Sequence, residues 1–305
     1  MDIEKKVEKI NKLKQKKDVL LLAHNYQISD IQDVADIVGD SLELAKKATE
    51  TENKNIIFCG VDFMAESAKI LNPDKNIILP DVEAKCPMAG MVDVKRLNKM
   101  KKQHHEAKVV SYINTTADIK AISDICCTSS NGEKVVKKVD AKKVIFVPDR
   151  NLGRYIQRFV KDKEMILWDG FCYTHDQITR KQILKKKEEN PDAEILVHPE
   201  CRPKIIDIAD YAYSTNGMVN HVKSSEKKSF IIGTEKDLCY RLRKENPDKK
   251  IISIDTAVCK DMKKITLDKV INSLQKLEPK ISLSKKIMID AKKPLKRMME
   301  IGRGD

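Results

Sequence analysis

Three of the eight cysteines in this 305-residue chain recur at a nearly constant interval. Cys86 and Cys172 are 86 residues apart, and Cys172 and Cys259 are 87 residues apart. Each follows an apolar run, which predicts a loop at the end of a buried strand. Three thiolates that converge on one point suit a soft metal centre. Two possibilities are open: zinc, completed by a fourth ligand or water, and a [4Fe–4S] cluster with one open iron.

The other five cysteines do not follow this interval, and we expect ordinary core or loop positions for Cys59, Cys126, Cys127, Cys201 and Cys239. The sequence has no C-x-x-C pair, so a local zinc ribbon or thioredoxin motif is excluded. The first 18 residues are charged and helical in pattern, without the apolar core of a secretion signal. These features predict a cytoplasmic protein whose cysteines are not paired in disulfides.

The interval belongs to a threefold repeat of strands and helices. Apolar runs of β-type begin at residues 19, 108 and 194, and a second set begins at 55, 143 and 229. A third set begins at 76, 164 and 250 and leads to the three spaced cysteines. Strands that alternate with helical patterns predict parallel βαβ units. We therefore predict an α/β protein of three α/β/α sandwich domains with short parallel sheets, related by a pseudo-threefold axis.

The predicted domains span residues 18–104, 105–190 and 191–278, with helical flanking segments at 1–17 and 279–305. The carboxyl ends of parallel strands are where ligands bind in open sheets. Three domains around one axis would direct those ends to a shared centre. The sequence thus predicts an active site at the central domain junction, with one cysteine from each domain.

A hydroxyl motif precedes the second strand of each repeat and supports an anion site. Ser41 and Ser129 are 88 residues apart, and Ser129 and Ser214 are 85 residues apart. Each stands where a helix is predicted to start, and free N–H groups at a helix start favour carboxylates and phosphates. An ordinary N-cap is the alternative for any single serine.

The first strands end in side chains that suit acid–base chemistry: His24 with Tyr26, Tyr112 with Asn114, and His198 with Glu200. His198 and Glu200 are expected on one face of an extended segment, because side chains alternate along a strand. Glu200 is the only carboxylate among these strand ends. We therefore predict proton-transfer roles for Glu200, His198 and Tyr26.

The net charge of +13 raises the alternative of a metal-containing regulator that binds nucleic acid. Only 10 of the 59 basic residues are arginines, and aromatic residues make up 5% of the chain. Base readout and stacking rely on those residue types, so we expect no nucleic-acid partner. No apolar run is long enough for a membrane span, and no membrane association is expected. A second alternative is a different iron–sulfur hydro-lyase on the same repeated scaffold.

At the level of motifs, the sequence resembles the quinolinate synthase family, the A proteins of de novo NAD biosynthesis. In the first half of the chain the matching segments are AHNYQ (23–27), VGDSLELA (38–45), FCGVDFMAESAKIL (58–71), KCPMAGMV (85–92) and YINTTADIKA (112–121). They continue with CTSSN (127–131), PDRNLG (148–153), WDGFC (168–172), HPEC (198–201), GTE (233–235) and CKDMKKITL (259–267). The resemblance covers nearly the whole chain.

The resemblance implies the same three-domain fold and one [4Fe–4S] cluster per chain, held by Cys86, Cys172 and Cys259. It implies a transferase reaction in pyridine nucleotide biosynthesis: iminoaspartate condenses with dihydroxyacetone phosphate to quinolinate, with loss of phosphate and two waters. The enzyme that supplies iminoaspartate is an expected partner. By motif position, the substrate-binding residues would be His24, Ser41, Tyr112, Asn114, Ser129, His198, Glu200, Ser214 and Thr215.

This chain departs from the family pattern at two positions. Asp62 stands where the family more often has histidine, and Tyr213 stands where glycine is usual. The second departure bears on the loop shape beside Thr215. The C-x-x-C that some members carry near the C-terminus is absent, so thiol switching of that kind is not expected.

Overall fold

The computed structural model describes residues 2–305 and contains three four-stranded sheets within that range. The first sheet is formed by β1 (Val19–His24), β2 (Ile37–Gly39), β3 (Asn55–Cys59) and β4 (Asn76–Ile78). The second is formed by β5 (Lys108–Tyr112), β6 (Ile125–Cys127), β7 (Lys143–Val147) and β8 (Glu164–Leu167). The third is formed by β9 (Glu194–Val197), β10 (Tyr211–Ala212), β11 (Ser229–Gly233) and β12 (Lys250–Ser253).

The three sheets have one topology. Their strand orders are β2-β1-β3-β4, β6-β5-β7-β8 and β10-β9-β11-β12, and all nine pairings are parallel. The central strands are almost entirely apolar and buried, as parallel strands covered on both faces must be. The prediction of three α/β/α units with short parallel sheets is confirmed.

Helices cover the sheets and connect their strands. In the first repeat and the segment before it they are α1 (Ile3–Lys17), α2 (Ser29–Val34), α3 (Ser41–Glu50), α4 (Asp62–Leu71) and α5 (Val94–Gln103). The second repeat has α6 (Ala117–Ala121), α7 (Gly132–Lys138), α8 (Arg150–Gln157), α9 (Tyr173–Asp176) and α10 (Arg180–Glu189). The remainder are α11 (Pro203–Ile206), α12 (Thr215–Ser224), α13 (Leu238–Glu245), α14 (Leu267–Lys276) and α15 (Lys285–Ile301).

The sequence analysis missed one strand in each sheet. The edge strands β2, β6 and β10 have only two or three residues, too few for a visible hydrophobic period. Each is held to the first strand of its repeat and leads directly into the hydroxyl motif. The edge strand therefore positions the hydroxyl motif at the carboxyl end of the sheet.

The terminal helices join the repeats rather than extending away from them. Helix α1 packs on α14, and α14 also contacts β3, so a helix assigned to the predicted third domain packs on the first sheet. Helix α15 packs on α4 and α6, which belong to different repeats. The domain boundaries themselves stay a prediction. In the described part of the chain, no helix combines the length and the apolar character that crossing a membrane requires.

Candidate active site where the three sheets meet

One pocket, called here the central pocket, is lined by residues from all three repeats and has an empty volume of about 770 Å³, including its open part. All the candidate site residues named above except Ser214 line it. They are His24, Tyr26, Ser41, Cys86, Tyr112, Asn114, Ser129, Cys172, His198, Glu200, Thr215 and Cys259.

Each of the three spaced cysteines precedes a short helical turn, Cys172 by one residue and Cys86 and Cys259 by three. These turns are Ala89–Met91, α9 and Met262–Lys264. Each cysteine sulfur is bonded by the backbone N–H of the residue three positions later, which lowers the thiol pKa. Burial is the larger effect and raises the pKa of all three thiols. A metal that binds here must therefore displace the thiol protons.

The other five cysteines lie in the hydrophobic core and do not line the central pocket. Burial raises the pKa of each, which keeps them as protonated, apolar side chains. Cys201 lies in a buried cluster of the third repeat, only one residue beyond Glu200. Its sulfur donates to the Gly233 carbonyl at 3.5 Å.

The spacing of the sulfurs bears on whether one metal ion could bind all three. Among the described residues, the ligand atoms of Cys172, His175 and Glu200 lie within 4.8 Å of one another, whereas the three spaced cysteines form no such group. Two sulfurs on one zinc ion are at most about 4.6 Å apart, because each Zn–S bond is about 2.3 Å. At least one pair of these sulfurs is therefore too far apart for all three to bind one ion in this geometry. Three thiols from separate repeats are the donor type of a polynuclear iron–sulfur cluster, in which each thiolate binds a different iron.

Two histidines occupy equivalent positions at the ends of β1 and β9. Nδ1 of His24 accepts the Tyr26 N–H at 3.2 Å, and Nδ1 of His198 accepts the Glu200 N–H at 3.3 Å. Burial, partly opposed by Glu200, lowers the pKa of both imidazoles to about 3. Both rings are therefore neutral near pH 7 and carry their proton on Nε2. They can donate hydrogen bonds into the central pocket.

Glu200 is the buried charge at the centre of this network. It accepts the Tyr112 hydroxyl at 2.5 Å, and its Oε2 lies 2.7 Å from His175 Nδ1, off the direction of a ring N–H bond. Burial alone would raise the pKa of Glu200, but His175, His198 and the Tyr112 hydrogen bond lower it to about 2. Glu200 is consequently ionised. Burial and then Glu200 raise the pKa of Tyr112, which stays a neutral donor.

The expectation that His198 and Glu200 share one face of an extended segment is wrong. Strand β9 ends at Val197, and residues 198–201 form a turn closed by the Cys201 N–H on the His198 carbonyl at 2.9 Å. The turn brings the Glu200 N–H onto the His198 ring, and both side chains reach the central pocket through it.

Sequence reasoning missed two residues of the network, His175 and Thr234. His175 is 1% exposed and stacks on His198 with ring centroids 4.6 Å apart. Its Nε2 lies 2.8 Å from Thr234 Oγ1 and 3.3 Å from the Tyr26 hydroxyl. The available signal was local: His175 follows Cys172 by three residues. Because neither residue has a counterpart of its own type in the other repeats, the interval did not reveal them.

The three serines do not occupy equivalent positions, contrary to the expectation from their interval. Ser41 is the first residue of α3, which Asp40 caps, whereas Ser214 is itself the cap of α12. Ser129 precedes α7 by three residues. Ser214 does not line the central pocket: its hydroxyl accepts the Gly217 N–H at 3.2 Å and a bond from Arg303 at 3.0 Å. Thr215 takes the pocket-facing position in that repeat.

The polar lining is neutral except for acidic groups, and no lysine or arginine is among the lining residues. Asn114 Oδ1 is buried and has no hydrogen-bond partner in the described residues. A buried acceptor of this kind requires a donor from a ligand or water. Thr215 Oγ1 accepts a hydrogen bond from Asn25 at 2.8 Å, which leaves its own proton free for a ligand.

The two departures from the family pattern lie outside the lining. Asp62 Oδ1 accepts the backbone N–H of Cys86 at 3.1 Å. Tyr213 stacks on Tyr211 at 5.4 Å and packs beside His221, away from the pocket. Tyr213 therefore shapes the surface of its repeat, and Thr215 still faces the central pocket.

A pocket built from three α/β repeats, with thiols, neutral imidazoles and buried carboxylates, defines an α/β enzyme. The family model described as "Quinolinate synthetase A protein" matches residues 8–300. The chain belongs to this family. It is 46% identical over 300 residues to the quinolinate synthase of Thermodesulfovibrio yellowstonii, covering 98% of this chain and 99% of the relative. It is 48% identical over 297 residues to the quinolinate synthase of Pelobacter propionicus, covering 97% and 98% of the two chains.

Proposed function

We propose that this chain is a quinolinate synthase, which condenses iminoaspartate with dihydroxyacetone phosphate to quinolinate and releases phosphate and two waters in NAD biosynthesis. The observation that carries the proposal is the central pocket, to which each repeat contributes one cysteine and polar side chains suited to acid–base or anion chemistry. Family membership and the names of the relatives support the same activity.

Cys86, Cys172 and Cys259 would hold one [4Fe–4S] cluster per chain. When bound, the cluster supplies a Lewis-acid iron with an open coordination position. The backbone N–H at each cysteine sulfur would stabilise the thiolate after metal binding has displaced the proton. The three ligands come from loops that follow equivalent strands, so the folded repeats bring them together.

Both substrates are anions, and the pocket would bind them with neutral donors because its lining has no lysine or arginine. Ser41 and Thr215 begin helices of 10 residues, whose N-termini favour carboxylate and phosphate groups. Ser129 would add a hydroxyl, and His24 and His198 would donate from Nε2. Asn114 Oδ1 would accept a hydrogen from the substrate, which satisfies that buried oxygen.

Proton transfer would run through Glu200, His175 and Tyr26. An efficient general base has a pKa near the working pH, and the pKa of Glu200 is about 2. Glu200 is therefore better suited to stabilise a positive charge on His175, 2.7 Å away. The opposite nitrogen of His175 meets the hydroxyls of Thr234 and Tyr26, which are 2.7 Å from each other. Tyr26, which lines the pocket, would accept a substrate proton while it passes its own hydroxyl proton to His175, directly or through Thr234.

The test is reconstitution of the protein with iron and sulfide under anaerobic conditions. Iminoaspartate generated in the assay and dihydroxyacetone phosphate should then yield quinolinate, detected by mass. Turnover of other hydroxy acids with no quinolinate would favour the hydro-lyase alternative. The proposed partner is the enzyme that supplies the unstable iminoaspartate, and the proposed location is the cytoplasm.

A further inference from the structure

The backbone N–H of each spaced cysteine is bonded to a carboxylate that follows β3, β7 or β11, within three residues of the end of that strand. The two partners are 24, 23 and 24 residues apart in the three repeats. The bonds run from the Cys86 N–H to Asp62 Oδ1 at 3.1 Å, from the Cys172 N–H to Asp149 Oδ2 at 3.2 Å, and from the Cys259 N–H to Glu235 Oε1 at 3.1 Å. We call these three acids the anchor carboxylates.

A second hydrogen bond, between backbone groups, holds each cysteine loop at the residue two positions before the cysteine. The pairs are Asp62 N–H to the Ala84 carbonyl, Arg150 N–H to the Gly170 carbonyl and Lys236 N–H to the Ala257 carbonyl, each at 2.9 Å. At Gly170 the approach is so close that a Cβ would lie 2.5 Å from the Pro148 carbonyl oxygen. The same two-point attachment therefore recurs in all three repeats.

The anchor carboxylates are themselves held in place. Asp149 and Glu235 are fully buried. Asp149 Oδ1 accepts the N–H groups of Asn151 and Leu152 and thereby caps α8, while Oδ2 is the oxygen bonded to Cys172. Glu235 likewise uses both oxygens, one for Cys259 and the other for the Asp237 N–H at 2.8 Å. Buried carboxylates with fixed partners hold their neighbours at defined distances.

The fold contains a matched set of carboxylates with the same chemistry away from the pocket. These strand-start carboxylates directly precede the edge strands and accept a backbone N–H from the first strand. The bonds join Asp36 to Leu21 at 2.8 Å, Asp124 to Val109 at 2.8 Å and Asp210 to Ile195 at 2.7 Å. Each repeat therefore has one carboxylate bonded to the backbone of its first strand and one bonded to the backbone of its cysteine.

We propose that Asp62, Asp149 and Glu235 are positioning residues that hold the three cysteine loops in the geometry that binds the cluster. The inference rests on the proposed cluster site and goes beyond its ligands. It also explains what Asp62 does in this chain, where the family pattern has histidine: Asp62 makes the first repeat equivalent to the other two.

The three anchor carboxylates differ in how many of their oxygens accept hydrogen bonds. Replacing each acid by its amide should therefore have different effects. Asp149→Asn keeps the cap of α8, since asparagine caps as well as aspartate, but directs an NH₂ group at the Cys172 N–H. Glu235→Gln has the same conflict, because both oxygens of Glu235 accept N–H groups. Asp62 bonds both Phe63 and Cys86 through Oδ1, so Asp62→Asn can retain both bonds.

The experiment compares Asp149→Asn, Glu235→Gln and Asp62→Asn with the matched control Asp124→Asn. Iron release from the reconstituted proteins to excess ferrous chelator is followed by absorbance. In the cluster-free proteins, the rate at which Cys172 reacts with a thiol reagent is measured by peptide mass, and circular dichroism checks the fold. We expect iron release at least about tenfold faster in Asp149→Asn and Glu235→Gln, as an N–H donor left without its acceptor implies. Asp62→Asn and Asp124→Asn should stay within about threefold of the unsubstituted protein.

Equal iron release and equal Cys172 reactivity in Asp149→Asn and Asp124→Asn would overturn the inference. The thiol measurement needs no metal, so it tests the positioning role of the anchor carboxylates even if the unsubstituted protein binds no cluster. That latter result would count against the proposed function instead. If Asp149→Asn does not fold, Glu235→Gln is compared with Asp210→Asn in the third repeat. Equal iron release in those two variants would likewise overturn the inference.

Discussion

Replacing Glu200 by glutamine removes one negative charge from the middle of the central pocket and keeps the size of the side chain. Two contacts depend on that charge: the Tyr112 hydroxyl at 2.5 Å and His175 Nδ1 at 2.7 Å. A hydrogen bond to a charged group contributes about 1.5–3 kcal/mol. Loss of this charged bond from Tyr112, together with the negative charge that would stabilise a protonated His175, removes acid–base catalysis and lowers kcat by about 10²–10⁴, or roughly 3–6 kcal/mol of barrier.

The assay measures quinolinate formation and iron content in Glu200→Gln side by side. Glu194→Gln is the matched control, because Glu194 pairs with His221 at 2.7 Å at the other end of β9, outside the pocket. We expect full iron content in both variants and slow turnover only in Glu200→Gln. Normal turnover in Glu200→Gln with an intact cluster would refute the proton-transfer argument. Loss of iron in that variant would show a structural role instead.

Two further predictions follow from pKa shifts and from the serine positions. Burial lowers the pKa of His24 and His198 from 6.5 to about 3, so below pH 6.5 the unfolded chain binds protons that the folded chain does not. The free energy of unfolding should therefore fall as pH drops from 6.5 towards 3, with a shallower slope in His198→Gln, measured by urea unfolding at each pH; an unchanged slope would contradict the burial argument. Ser129→Ala should raise the KM of a substrate about tenfold or more. Ser214→Ala should instead cost about 1 kcal/mol of stability with no change in KM, because its hydroxyl caps α12; equal KM values for the two variants would mean that Ser129 binds no substrate.

The repeat made much of the architecture predictable. Apolar runs at a constant interval mark the central strands, because each repeat must bury the same kind of sheet. The interval also placed Cys86, Cys172 and Cys259 after equivalent strands, and the structure brings them to one pocket. The edge strands could not be found this way, since two or three residues do not show a period.

Site details that depend on one residue were harder to predict. A helix can be capped by Asp40 or by Ser214 with equal physical effect, so the serine interval does not mark equivalent atoms. The turn at 198–201 depends on a side-chain bond to the His198 ring, which no strand pattern encodes. The partners of His175 are distant in sequence: Glu200 and Thr234, for example, are 25 and 59 residues away.

The central claim is that one [4Fe–4S] cluster is held by one cysteine from each repeat. Its most direct test is the iron and sulfide content of anaerobically purified Cys172→Ser, with Cys201→Ser as the control because that cysteine is buried outside the pocket. We predict about four irons per chain in the control, with the paramagnetic resonance of a reduced cluster, and loss of both in Cys172→Ser. Full iron and sulfide in Cys172→Ser, or a single zinc ion per chain in the unsubstituted protein, would contradict the claim.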